Sequence, residues 1–279
     1  MRIRRRLLPS GWYPETREGT LEEIESLKAD LKVEPVEVWA GLVPHAGWAY
    51  SGKAALQVFL AIKNVPETLV VVGGHLHPGA GIWAAREEGY QTPLGPIEAD
   101  LKLLSFLEER LEIKEDNEAD NTVEIQLPFI AALFSRVRVL WLRAAPSEEA
   151  IVLGEVLAEA ASHLGKKVIV IGSTDLTHYG PNYGFYPKGT GKEAVNWVKQ
   201  VNDRRFLELL LKQDLKGALD DASRHYSACS AGGAVAAASF AKQLGATCAQ
   251  LLCYYTSYDV MPHSSFVGYA GLIYTPVKA

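Results

Sequence analysis

The chain has 279 residues, 48% of them apolar and 22% charged, with a formal net charge of −5. That is the composition of a globular protein long enough to bury a core without disulfide staples. The acidic balance excludes general nucleic-acid binding, which needs a basic face.

In chain order, Arg2 to Arg6 is a short basic run that reads as a solvated N-terminal strand. Pro9, Gly11, Trp12, Tyr13 and Pro14 make an ordered but irregular lead-in. Thr20 with Glu23 forms a capping box and starts a helix ending near Leu31. Val36 to Val43 is an apolar run that reads as a buried strand; Pro44 stops it and His45 follows. Ala54 to Lys63 carries Ala55, Val58, Phe59 and Ile62 at helical period. Leu69 to Val72 is a second buried strand, ending in Gly73-Gly74-His75-Leu76-His77.

Gly81 to Thr92 reads as a strand or hairpin, Glu98 to Arg110 as an amphipathic helix, and Asn121 to Phe129 as a helix start. Arg136 to Leu142 alternates like a strand. Ser147 to Leu164 is a helix closed by Gly165. Val168 to Ile171 is a third buried strand, ending in Gly172-Ser173-Thr174-Asp175-Leu176-Thr177-His178. Pro181 to Gly191 is a Gly-, Pro- and Tyr-rich loop of the functional kind. Glu193 to Lys212 and Asp214 to Ala222 are helical. His225 to Gly233 is a small-residue run opening an Ala-rich helix to about Gln243. Cys248 to Tyr255 and Phe266 to Tyr274 are strands, joined by a loop holding His263. Alternating strands and helices with no linker or repeat indicate one α/β domain over residues 1–279, a mixed central sheet flanked by helices.

Three buried strands each deliver a histidine at their exits, where open α/β sheets place ligands and catalytic groups. The candidate set is His45, His75, His77, Asp175, His178, His225, Cys229 and His263. Neutral imidazole is a common metal ligand, and carboxylate or thiolate can complete a site. His163 lies inside a helix and reads as structural; Cys248 and Cys253 read as buried packing. Cys229 stands before a helix N-terminus, which lowers a thiol pKa, so it is a candidate metal ligand or nucleophile, or else a small buried residue. Asp175 is a base, an orienting carboxylate or an N-cap. Glu124 is a site carboxylate or a first-turn helix charge. Trp12, Tyr13, Trp48, Tyr50, Tyr179 and Tyr183 are candidates for an aromatic pocket. The odd cysteine count, the absence of a secretory signal before Pro9 and the absence of a membrane-length apolar window point to a cytoplasmic protein.

PHAGWAYSG, the strand-GGH segment, DNTVEIQLPF, STDLTHYG, the HYSAC segment and the closing HSSFVGYAG occur in the order typical of the MEMO family, and the chain resembles it from GWYP to YAGLIY. Bacterial and archaeal members are often called AmmeMemoRadiSam system protein B. The resemblance implies a fold like the class III extradiol (LigB-type) non-haem iron(II) dioxygenases. It also implies a metal pocket of His45, His75 and Cys229, with Asp175, His178 and His225 beside it as catalytic groups. Where relatives read GPSH or GPNH, this chain has GGHLH, so His77 competes with His75; counting back from Thr92-Pro93-Leu94 favours His75. Asn121 stands where relatives carry a histidine, while Glu124 is kept. Three functions are expected to compete. The first is redox or dioxygenase-like chemistry on iron(II) or copper, with zinc as a further candidate. The second is a non-catalytic module binding an unknown small molecule or peptide. The third is a thiol or metal hydrolase. The group name implies association with AMMECR1-type and radical-SAM proteins.

Overall fold

The computed structural model describes residues 2–246 and 248–276. The chain opens with β1 (Ile3–Arg4), α1 (Arg17–Lys28), β2 (Ala40–Val43), α2 (Lys53–Ala61) and β3 (Thr68–Gly73). Next come β4 (Ile82–Ala84), β5 (Gly89–Tyr90), β6 (Ile97–Glu98), α3 (Leu101–Glu108), β7 (Ile113–Glu115), α4 (Asn121–Glu124), α5 (Leu127–Leu133) and β8 (Arg138–Ala144). The last part holds α6 (Glu148–Leu164), β9 (Val168–Ser173), β10 (His178–Tyr179), α7 (Lys192–Trp197), α8 (Asp203–Leu211), α9 (Leu215–His225), α10 (Ala231–Gln243), β11 (Cys248–Thr256), α11 (Ser257–Val260) and β12 (Phe266–Thr275). Among the described residues no helix is long and apolar enough to cross a membrane.

Among the described residues nine strands form one mixed sheet in the order β10-β12-β2-β9-β3-β8-β4-β7, with β11 also paired to β12. Every residue of β2, β3 and β9 is buried. Strands covered on both faces need near-continuous apolar runs, which these sequences supply. Side chains alternate between faces. Val70, Val72, Leu140 and Val170 join a core under α6 and α10. Leu69, Val71, Val139 and Ile171 join another under α2 and α5. β2, β9 and β3 are parallel neighbours, so their carboxyl ends open at one pole of the sheet.

Small residues set α10 hard against that pole. A Cβ on Gly233 would lie 2.2 Å from the Val72 carbonyl oxygen, and one on Gly172 would lie 2.5 Å from that of Gly233. The Ala- and Gly-rich helix start thereby brings the preceding Cys229 onto the strand exits.

The α/β architecture follows the sequence reading, and several local expectations are corrected. α1 starts four residues earlier in effect, because Thr16 rather than Thr20 accepts the capping N–H, from Gly19. Thr20 is buried inside the helix, its hydroxyl donating to the Thr16 carbonyl. Only the end of the Val36 to Val43 run is strand; Val36 makes an isolated bridge to Ile62. The two strands between Gly81 and Thr92 do not form a hairpin, since β4 joins the large sheet and β5 a separate three-stranded one with β1 and β6. Within the basic run Arg4 is buried: its guanidinium stacks 4.4 Å from the Trp141 ring centroid and donates to the Asp116 and Glu118 carbonyls. Cys248 and Cys253 are half-buried on the β11 strand.

Candidate metal centre

Pro44 ends β2 and turns His45 inward, where its backbone N–H donates to Asp175 Oδ1 at 2.7 Å and its side chain is almost wholly buried. β3 exits through Gly74, whose φ of +113° suits glycine, and the next residue is His75. Cys229 is held by its own N–H to the Asp175 carbonyl at 3.2 Å, and Ser230 N–H donates to Thr174 Oγ1 at 3.0 Å. His45 Nε2 lies 3.1 Å from His75 Nε2 and 3.2 Å from Cys229 Sγ. The three donor atoms all fall within 4.8 Å of one another.

The donor set fits a metal ion. Bond lengths of about 2.0–2.3 Å at tetrahedral angles separate nitrogen and sulfur ligands by about 3.3–3.6 Å, within a few tenths of the two separations from His45 Nε2. Burial, with His75 and His178 nearby, pushes the His45 pKa down to about 4 against the pull of Asp175 and Asp120, so the ring is neutral and able to ligate. Burial and the Asp175 carboxylate push the Cys229 thiol up, which reverses the expectation that a helix N-terminus would favour its thiolate. Without a cation Cys229 is a thiol; a bound metal favours the deprotonated ligand. Asp120 stands behind His75, its Oδ2 3.5 Å from Nδ1. Burial raises its carboxyl, but His75, Thr122 and Arg143 outweigh that and hold it well below the usual range. It is the kind of carboxylate that orients a ligating imidazole.

Asp175 lies between two imidazoles, with Oδ2 4.0 Å from His45 Nε2 and 3.7 Å from His178 Nε2. Burial works against its charge, and the two histidines and the His45 N–H more than offset this, keeping the carboxyl below its ordinary pKa. Among the described residues His178 Nε2 is buried without a hydrogen-bond partner. A cleft of about 480 Å³ opens beside these groups, walled by Trp12, Tyr50, Tyr183, Met261, His263 and Tyr269 among others. A second hollow of about 480 Å³ reaches Cys229 from another side, past Leu176, Phe185 and Tyr226, and shares His178 and Tyr183 with the first.

His45, His75, Cys229, Asp175 and His178 are thus brought together. The others are not. His77 is exposed, its Nδ1 2.8 Å from the Pro78 carbonyl. His225 ends α9 with an exposed ring whose Nε2 is 4.0 Å from Asp221. His263 lines the outer cleft and accepts the Ser265 N–H. Glu124 is buried away from the metal ligands, accepting the Leu7 and Leu8 N–H groups at 2.9 Å and the Tyr13 hydroxyl at 3.0 Å. It straps the N-terminal segment that carries Trp12 over the cleft. Of the aromatic candidates, Trp12, Tyr50 and Tyr183 line the cleft, while Tyr13, Trp48 and Tyr179 are core.

Sequence reasoning missed how much of Asp120–Gln126 serves the site. Asn121 Nδ2 donates to the His45 carbonyl at 2.8 Å, Thr122 Oγ1 accepts the Gly74 N–H at 2.8 Å, and Gln126 Nε2 donates to the Pro44 carbonyl at 2.8 Å. The signals were the family-like DNTVEIQLPF segment and the density of polar residues in an otherwise apolar helix start, neither of which assigns the individual bonds.

Parallel strands that converge two imidazoles, with a thiol brought onto them by the start of α10, beside an aromatic-walled cleft define a candidate metalloprotein of the α/β class. The pattern of the family described as Memo-like protein matches residues 4–273, nearly the whole chain, and the chain belongs to that family. A MEMO1 family protein of Thermococcus onnurineus is 32% identical over 290 residues, covering 98% of this chain and 99% of the relative. Another from Pyrococcus furiosus is 32% identical, covering 97% and 98%, and one from Methanosarcina mazei is 30% identical, covering 98% and 99%. Among solved structures, uncharacterized protein JW3007 from Escherichia coli K12 shares the fold, with a TM-score of 0.53, 12% identity, and coverage of 85% of this chain and 100% of that one.

Proposed function

We propose that His45, His75 and Cys229 hold a redox-active transition metal, iron(II) or copper, and that the adjacent cleft presents a substrate to it. The observation that carries this reading is the packing of two imidazole nitrogens and a sulfur within 4.8 Å of one another at the exits of buried strands. The metal would supply redox chemistry, and the thiolate in its ligand set suits copper. The chain's own groups have separate tasks. His178 offers an unpartnered Nε2 to a ligand in the cleft and moves a proton there. Asp175 fixes His45 through its backbone and faces His178. Trp12, Tyr50 and Tyr269 exclude water from the ligand. Catalysis by Cys229 as a metal-free nucleophile is disfavoured by its raised pKa.

The test is elemental analysis of protein purified without oxygen, alongside His45→Ala and Cys229→Ala. The wild type is expected to hold about one iron or copper per chain, as one closed ligand set allows, and both variants to hold almost none. Wild-type protein that stays metal-free after exposure to iron(II), copper(I) and zinc would sink the proposal, and the cleft would then be read as a ligand-binding module. Zinc alone would overturn the redox part.

A further inference from the structure

We infer that the Ser173 hydroxyl sets the tautomer of His45, so that an unprotonated Nε2 faces the metal ligands; the purpose of this lock rests on the metal-centre reading above. Ser173 is the last residue of β9 and is fully buried. Its hydroxyl has one proton to donate and lone pairs to accept with. Two neighbours compete for that proton. The Thr122 carbonyl oxygen lies 2.5 Å away, and His45 Nδ1 lies 3.3 Å away.

The carbonyl can only accept. Were the proton turned towards His45, two oxygens would face each other at 2.5 Å with nothing between them. The hydroxyl therefore donates to Thr122. Gln126 Nε2 adds a second donor towards Ser173 Oγ at 3.4 Å, and its orientation is fixed because the same nitrogen donates to the Pro44 carbonyl. Towards His45, Ser173 Oγ is left as an acceptor, so Nδ1 must carry the ring proton. Nε2 then points its lone pair at Cys229 Sγ and His75 Nε2.

The same logic applies to His75, whose Nδ1 faces the acceptor-only Asp120 carboxylate. Two Nε2 lone pairs meet at 3.1 Å, an arrangement that repels unless a cation sits between them. A histidine side chain in water prefers its proton on Nε2, the atom that must be bare here. Ser173 acts through His45 and is a positioning residue. Thr122 is what makes it one: α4 supplies the carbonyl that claims the serine proton, while the Thr122 side chain ties down the β3 exit at Gly74.

The primary test is long-range proton–nitrogen NMR of the His45 ring in metal-free protein at neutral pH, with Ser173→Ala and Ser173→Thr. The expected result is a protonated Nδ1 in the wild type and in Ser173→Thr, with Ser173→Ala shifting towards protonated Nε2. Zinc affinity measured on the same three proteins should fall about 10- to 100-fold in Ser173→Ala and recover in Ser173→Thr. A wild-type His45 protonated on Nε2, or an unchanged tautomer in a folded Ser173→Ala, overturns the inference. The expected tautomers with no metal bound by any of the three would leave the lock standing and sink the metal-centre reading instead.

Discussion

The two ends of the central sheet each carry a cavity, and the larger one is at the wrong end for the chemistry. At the amino-terminal ends of β3 and β8 a hollow of about 580 Å³ is lined by Thr68, Arg136, Arg138 and Lys166 among others. Its inner charges are answered: Lys166 Nζ meets Asp100 Oδ2 at 2.5 Å, and the Thr68 hydroxyl donates to the same carboxylate at 2.6 Å. At the carboxyl ends the hollow is smaller, about 480 Å³, and no Lys or Arg occurs among its described lining residues. There the bonding is unfinished, with His178 Nε2, Gln126 Oε1 and Ser230 Oγ all buried and without a hydrogen-bond partner among the described residues. Cavity size did not select the site; groups held in unsatisfied or perturbed states did.

The sharpest way to break this contrast is to exchange the consequences of mutation between the two ends. Lys166→Ala strands Asp100, which is 1% exposed, and breaking such a buried pair should cost about 3–5 kcal/mol in denaturant unfolding while leaving metal content unchanged. His75→Ala should do the reverse, removing metal with little loss of stability, since its ring is 41% exposed. Metal loss in Lys166→Ala would show that the two ends are coupled.

Sensitivity to pH should also belong to the histidine end. Asp203 accepts the Thr177 N–H at 3.0 Å under the Asp175–His178 turn, and burial raises its pKa to about 7. The folded state then binds a proton more tightly than the unfolded chain, so this group makes stability fall as pH rises from 3.8 to about 7. The fall is about 4 kcal/mol in order of magnitude. His45 in metal-free protein works oppositely: its folded pKa of about 4 lies below 6.5, so stability rises with pH across that window. That rise is about 3 kcal/mol. Wild-type stability should therefore be nearly flat between these limits. Asp203→Asn should expose a rise and His45→Ala a fall, read by urea unfolding at a series of pH values. At the other end Asp100 is held below its usual range, where Lys166, Thr68 and the Leu103 N–H outweigh burial, and its contribution disappears only in acid. Flat curves for both variants would remove the distinction. A smaller effect is expected from Asp120→Asn, which keeps the α4 cap but weakens the orientation of His75; metal affinity should drop about 10- to 100-fold.

How much of this was legible in the sequence follows from the range of each interaction. β2, β3 and β9 were readable because burial on both faces writes a continuous apolar run into the chain, and the histidines at their exits were readable with them. Cys229 was flagged by the small residues that let α10 approach the sheet. Asp120, Thr122, Gln126 and Ser173 were not, because each reaches the strand exits across 45 or more residues, and side-chain hydrogen bonds leave no periodic trace. Glu124 was visible as a carboxylate, but its partners Leu7, Leu8 and Tyr13 lie more than a hundred positions upstream. The reading of Arg2 to Arg6 as solvated holds at Arg2 and Arg5 and failed at Arg4 for the same reason: Trp141 and Asp116, which bury Arg4, are distant in sequence.

The smallest predicted effect marks where the contrast between the two ends stops. Arg138 also borders the larger hollow, and its Nε lies 3.4 Å from Glu98 Oε2, but both side chains are more than half exposed. Water screens such a pair, and holding two long side chains in register costs entropy, so Arg138→Ala should change unfolding stability by less than about 1 kcal/mol. Added salt should shrink that difference further. If Arg138→Ala instead matched Lys166→Ala, pairing itself would govern stability at this end. If it is silent, burial of Asp100 is what gives the Lys166 pair its weight, and the same burial at the histidine end is what holds His45 and Cys229 in their uncharged forms.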